Sequence, residues 1–193
     1  EDLDNFEKKI KNFLSLNEKK VIYYNAEPKI DGISASLTYK KGKFYKGLSR
    51  GDGKEGEDIT SNLATIKDIP KIISSKDFPK EIDIRGEVFI SKSDFDSLKE
   101  KFANPRNAAS GSLRQKNPDD TKKIPLKFIA YTFGFEKGLK INNQYDYLNK
   151  LSKWGFKTNP LNKTFQNIKD LMKNYHHIEK KRNEIDFDID GIV

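Results

Sequence analysis

The sequence predicts an α+β fold, with antiparallel hairpins and helices following one another irregularly rather than in the regular order of a doubly wound parallel sheet. Three observations lead there. Ile33, Ala35, Leu37 and Tyr39 alternate with Ser34, Ser36 and Thr38, the period of a half-buried strand. Lys41-Gly42 then makes a hairpin turn, and Phe44 to Leu48 returns antiparallel. Leu3, Phe6, Ile10, Phe13 and Leu14 instead recur at helical spacing and predict an amphipathic first helix.

The remaining elements follow from the same periods. Val21 to Tyr24 reads as a strand. Gly51, Gly53 and Gly56 make a glycine-rich charged loop before a short helix from about Ile59. Ile82 to Ile84 and Glu87 to Ile90 form another strand, and Ser91 or Ser93 is placed to cap the helix behind it. A small-residue stretch around Ala108, Ala109, Ser110 and Gly111 precedes a strand from Leu126 to Phe135. Two helices come next, the second with Ile168, Leu171, Met172, Tyr175 and Ile178 on one face. At the end Ile185, Phe187 and Ile189 alternate with Asp186, Asp188 and Asp190. The acidic side reads as a solvated face, except for Asp190 beside Gly191.

Composition narrows the chemistry. The 193 residues suit one compact domain or two small halves sharing a cleft, and 13 Phe with 8 Tyr supply bulk for a core. No run approaches 18 apolar residues, and the acidic start is no signal peptide. The chain opens without Met and stops inside an apolar run, so a piece of a longer protein is expected. Cysteine is absent, which removes disulfides, thiol nucleophiles and Cys-type zinc sites. His176 and His177 are adjacent on a surface helix, which leaves Lys, Arg, Asp, Glu and Tyr to carry any chemistry. Of the 37 basic residues only Arg50, Arg85, Arg106, Arg114 and Arg182 are arginine. In so lysine-rich a chain they are candidates for sites needing a planar, bidentate fork. The net charge of +8 favours a polyanionic partner only weakly.

Structure and charge first conflict at Glu27-Pro28-Lys29-Ile30-Asp31-Gly32. Extended, this segment turns Glu27, Lys29 and Asp31 to one side between apolar strands. It reads either as a solvated edge strand or as a cleft lysine. A nucleophilic lysine must first lose its proton, and flanking carboxylates oppose that. Glu27 and Asp31 are therefore expected to engage something else: a substrate hydroxyl, a purine edge or a metal's water shell.

Lys29-Ile30-Asp31-Gly32 resembles the K-x-D-G signature of covalent nucleotidyltransferases. Ser49-Arg50-Gly51-Asp52-Gly53 follows, then Gly56-Glu57-Asp58-Ile59-Thr60, Arg85-Gly86-Glu87-Val88-Phe89, Asn104-Pro105-Arg106-Asn107-Ala108-Ala109, Ser110-Gly111-Ser112-Leu113-Arg114 and Asp188-Ile189-Asp190-Gly191. This ordered set resembles the adenylation domain of bacterial NAD-dependent DNA ligases over essentially the whole chain. No P-loop or EF-hand pattern competes with it.

The resemblance implies the covalent nucleotidyltransferase (ATP-grasp-like) fold, with antiparallel sheets and helices around an adenylate cleft. It makes Lys29 the nucleophile toward the α-phosphate of NAD, with Asp31 and Asp190 as further catalytic positions. It places Glu27 at the adenine edge, Arg50 beside the ribose, Glu87 near the sugar and metal, and Tyr131 stacked on adenine. Arg106, Arg114 and Arg182 match positions that engage AMP or the DNA backbone. Mg2+ is expected to be held through water by Glu87 or Asp190, with no direct protein ligand. Implied partners are NAD and nicked double-stranded DNA, with no membrane. A monomer in the bacterial cytoplasm is expected. The family's N-terminal nicotinamide-mononucleotide-binding domain, OB-fold, zinc finger, helix-hairpin-helix and C-terminal domains find no counterpart, so residues 1–193 read as an adenylation domain truncated at both ends. Other functions stay open at this point: an ATP-dependent ligase or capping-type enzyme, or a non-catalytic basic nucleic-acid-binding module.

Overall fold

The computed structural model describes residues 2–49 and 56–193. Helix α1 (Asp2–Phe13) is followed by strands β1 (Tyr24–Ala26), β2 (Pro28–Ile30), β3 (Ile33–Lys40) and β4 (Lys43–Ser49). Next come α2 (Thr60–Leu63), β5 (Glu81–Phe89), α3 (Lys92–Phe95), α4 (Pro105–Leu113), α5 (Pro118–Lys122) and β6 (Lys127–Lys137). The order ends α6 (Gln144–Lys153), β7 (Lys163–Phe165), α7 (Ile168–Lys181) and β8 (Ile189–Ile192). An antiparallel sheet of order β4-β3-β5-β6 forms the frame, and β1-β7 and β2-β8 are separate antiparallel pairs. The α+β expectation holds at this level.

The frame follows from local chemistry. Lys41 and Gly42 both carry positive φ, 50° and 73°, as a two-residue hairpin turn requires. A Cβ on Gly42 would also lie 2.2 Å from the Ile73 carbonyl oxygen, so glycine is demanded twice over. The alternation in β3 and β5 sends Leu37, Tyr39, Ile82, Ile84 and Val88 to one face, all fully buried. Leu63, Leu113, Tyr147 and Leu151 from the helices cover that face, and Trp154 closes on Phe78 edge to face at 4.8 Å. Asn62 ties α2 to α5 and to the segment after α4: its amide donates to the Gln115 carbonyl (2.9 Å) and to Thr121 Oγ1 (2.8 Å). Asn104, Asn117, Asn143 and Asn167 cap α4, α5, α6 and α7, each accepting a backbone N–H. Ser91 caps α3.

Several elements differ from the sequence expectation. The strand expected at Val21 to Tyr24 forms three residues later, because β7 pairs only with Tyr24–Ala26 and leaves Val21 exposed. β7 itself, a three-residue strand, carries no readable alternation. The small-residue stretch is helix α4, and Ala108 and Ala109 are small because they lie fully buried in the core under the sheet. In the acidic tail only Ile189–Ile192 is strand. Asp186 is not a mere solvated side chain, since it accepts from Ser93 N–H (2.9 Å) and Ser93 Oγ (2.7 Å) at the start of α3. Helix α1 has the expected stripe, yet it buries no residue among those described, and Phe13 stands 88% exposed.

Candidate active site

The face of the sheet away from the core is the floor of a cleft of about 1840 Å³. Strand register builds that floor. Ser34 of β3 pairs directly with Glu87 of β5, so both point to the same side. On β6, Thr132 pairs with Arg85 and Ala130 with Gly86, which leaves Tyr131 as the extra residue of a β-bulge. The bulge presents Tyr131 beside Ser34, with the two hydroxyls 2.9 Å apart, and the ring lines the cleft rather than the core.

Strand β2 sets Lys29 on the rim. Pro28 and Ile30 are buried and Lys29 between them is exposed, the alternation of a strand with one buried face. Lys29 pairs with Gly191 and Ile30 with Ile189, so Asp190 is the extra residue of a second bulge. Its carboxylate accepts from Lys29 Nζ at 2.5 Å. Gly32 makes the close approach of β2 to the sheet possible: a Cβ there would lie 2.4 Å from the Val88 carbonyl oxygen and 2.9 Å from Glu87 Cγ. The Gly32 backbone instead acts to lower the Glu87 carboxyl, against its burial. Burial pushes the Glu87 carboxyl up to about 7, against the opposing pull of the Lys29 and Arg106 cations. Two cations and a buried acid thus feel one another at this end.

Arg106, in the first turn of α4, donates from Nη1 to Asp31 Oδ1 at 2.6 Å. That bond to Asp31 holds the guanidinium above its ordinary range. Arg114, just past the end of α4, donates to Glu57 Oε2 at 3.0 Å. Glu57 is itself clipped to Ser49 by a backbone bond of 3.0 Å, so these two residues, which flank the glycine-rich loop, line the cleft together. Both arginine pairs are more than half exposed on the guanidinium side, and such pairs are weak enough for an incoming phosphate to replace the carboxylate.

The other end of the cleft carries Glu27. Oε1 of its half-buried carboxylate accepts from Asn25 Nδ2 (2.7 Å) and Gln144 Nε2 (2.8 Å). Burial raises its pKa, and the two amides oppose the rise. Gln144 Nε2 also donates to the Tyr131 carbonyl at 2.7 Å. Asn159, buried beside the cleft, donates to the Pro28 carbonyl at 3.0 Å and pins β2 in place.

Of the residues singled out in the sequence, Glu27, Lys29, Glu87, Tyr131, Arg106 and Arg114 line one cleft, and Asp31 and Asp190 are ion-paired to two of them. Arg50 lies outside the described residues. Arg182 is not brought in: it ends α7 on the exposed surface, where its carbonyl accepts from Lys92 Nζ at 3.1 Å.

A family model for the NAD-dependent DNA ligase adenylation domain matches residues 1–193. The chain belongs to that family. It is 67% identical over 193 residues to a DNA ligase of Pelagibacter ubique, covering 100% of this chain and 29% of that protein. It is 45% identical to the DNA ligase of Parvibaculum lavamentivorans over 201 aligned residues, again all of this chain and 28% of the relative. A Gluconobacter oxydans DNA ligase is likewise 45% identical, with 30% of its length covered. The adenylation domain chain thus spans under a third of the relatives it matches.

Three residues of this adenylation domain's cleft escape a sequence reading: Asn25, Gln144 and Asn159. Asparagine occurs 16 times in this chain and glutamine three times, and four of the asparagines cap helices. No local pattern separates a cap from a cleft amide. The distinction depends on strands and helices that meet far apart in sequence.

Proposed function

We propose that this domain carries the nucleotidyl-transfer chemistry of an NAD-dependent DNA ligase, on the covalent nucleotidyltransferase (ATP-grasp-like) fold. The carrying observation is the Lys29 amine at the rim of the cleft, held by Asp190 and electrostatically coupled to Glu87 beside Arg106. Lys29 Nζ, once deprotonated, attacks the α-phosphorus of NAD. An N–P bond forms, the P–O bond to nicotinamide mononucleotide breaks, and the departing phosphate oxygen keeps the electron pair. Asp190 orients the amine and stands where the proton leaves. A 5′-phosphate oxygen at a DNA nick then attacks the same phosphorus and frees the lysine. The 3′-hydroxyl finally displaces AMP and seals the strand.

The division of the cleft supports these roles. Glu27 and Tyr131 form the end suited to a purine, which offers an N–H edge and a flat face. Ser34 and Glu87 lie between, at the depth of a ribose. Arg106 and Arg114 stand where phosphates pass, with Arg50 expected from the neighbouring loop. Among the described residues no three ligand-type side chains gather to cage a metal. A Mg2+ would keep its waters and ride on substrate phosphates on this reading, with Glu87 or Asp190 reaching it through water. Such an ion supplies charge neutralisation at the phosphates. Nicked duplex DNA is the second substrate on this reading, and a monomer in the bacterial cytoplasm its setting. No helix among the described residues is long and apolar enough to cross a membrane.

The test is intact mass spectrometry of the full-length protein incubated with NAD and Mg2+. A single adenylyl adduct should map to Lys29 and vanish in Lys29→Ala. It should vanish in Lys29→Arg as well, since a guanidinium stays protonated. An adduct on another lysine, or formed from ATP in place of NAD, overturns the reading.

A further inference from the structure

The Glu27 carboxylate is satisfied on one oxygen only. Oε1 takes both amide donors, from Asn25 and Gln144, while among the described residues Oε2 takes no hydrogen bond and the side chain lines the cleft. Gln144 spends both protons of one nitrogen, on Glu27 and on the Tyr131 carbonyl. The reverse amide orientation would aim its oxygen at two acceptors, so the placement has one sense. Asn143 caps α6 directly ahead of Gln144, its Oδ1 accepting from the Asp146 N–H at 2.9 Å. One side chain therefore ties a cleft carboxylate to the bulged backbone that presents Tyr131.

We infer that Gln144 is the positioning residue for base selection: by holding Oε1 it aims Oε2 as a lone acceptor, which admits a 6-amino purine and rejects a 6-oxo purine. An exocyclic amine donates to Oε2, whereas a carbonyl oxygen in the same place faces a carboxylate oxygen with no proton between them. A site built to accept a hydrogen bond discriminates strongly against a ligand lacking the donor. Tyr131, linked to the same amide through its carbonyl, keeps the stacking face in register with the acceptor. The inference rests on the adenylation reading but concerns which base is chosen, not whether transfer occurs.

The experiment compares the full-length protein with its Gln144→Leu and Asn25→Ala variants, using NAD and nicotinamide hypoxanthine dinucleotide as paired AMP and IMP donors. Gln144→Leu should raise KM for NAD roughly tenfold and cut the preference for the adenine dinucleotide roughly tenfold, the size of one hydrogen bond to a charged group. The change should sit in KM rather than kcat. Asn25→Ala removes the other donor from the same oxygen and should move the preference in the same direction, which keeps the test intact if one variant folds poorly. Unchanged preference in folded variants, or a loss confined to kcat, overturns the inference. A wild-type protein that forms no adduct from NAD refutes the adenylation reading instead. Calorimetric titration with adenosine and inosine then still decides the role of Gln144, equal loss of both overturning it.

Discussion

Lys29 and Asp190 are 161 residues apart in the chain and share a hydrogen bond across the β2-β8 pair. The contact exists because β8 carries one residue more than β2 opposite it, and that extra residue is Asp190. Without the bulge, the next acidic position would fall on the strand's other face.

Removing the charge without changing the shape tests this contact. Asp190→Asn should slow lysyl-AMP formation about a hundredfold, within the range of a positioned acid or base. Stability should change by less than about 1 kcal/mol, since both partners are partly exposed. Single-turnover mass spectrometry beside thermal melting separates the two.

Glu87 predicts a pH-dependent stability. Burial raises its carboxyl from the ordinary 4.5 to about 7, so the folded state holds a proton that the unfolded chain releases. The sign follows: its contribution is fully present below pH 4.5, falls as pH rises through 7, and is a constant penalty above. At ~1.36 kcal/mol per unit the difference is on the order of 3 kcal/mol. Glu87→Gln, which stays neutral, should therefore gain in melting temperature at pH 8 relative to wild type and gain little at pH 4. A gain independent of pH refutes the assignment.

Arg114 should matter late in the reaction. Its pair with Glu57 is exposed on both sides, so Arg114→Ala should leave the melting temperature almost unchanged. Self-adenylation should stay close to wild type while sealing of a nick by the preadenylated protein slows. Equal effects on both steps would place Arg114 at the nucleotide instead.

Gly32 sets how closely the lysine strand approaches the sheet. A methyl group there meets backbone at 2.4 Å, which cannot rotate away. Gly32→Ala should cost about 1–3 kcal/mol as an overpacking change and reduce adduct formation together with stability. Denaturant titration and adduct yield on one preparation check both.

Much of this was legible in the residues. The alternation of β3 and β5, the Lys41-Gly42 turn and the helical stripes of α1 and α7 are periodic, and periodicity is a local property of the chain. The ordered motifs that carry Glu27, Lys29, Glu87, Arg106 and Arg114 are local too, and they fall in one cleft as the family resemblance implied. Arg182, singled out by the same resemblance, lies instead at the exposed end of α7 and does not line the cleft.

Tertiary structure alone decided the rest. Register between distant strands makes Tyr131 and Asp190 bulge residues, and a bulge is a relation between two strands rather than a pattern in either. Val21 lost its strand because β7 pairs elsewhere. Ala108 and Ala109 are small because a helix packs under the sheet. Asn25 and Gln144 became partners of one carboxylate because β1 and α6 converge on it. The sequence by itself determined which residues carry charge and which way each segment turns its faces. Which of those faces meet, and with what offset, was settled by packing, because burial fixes a pairing register only once both partners are present.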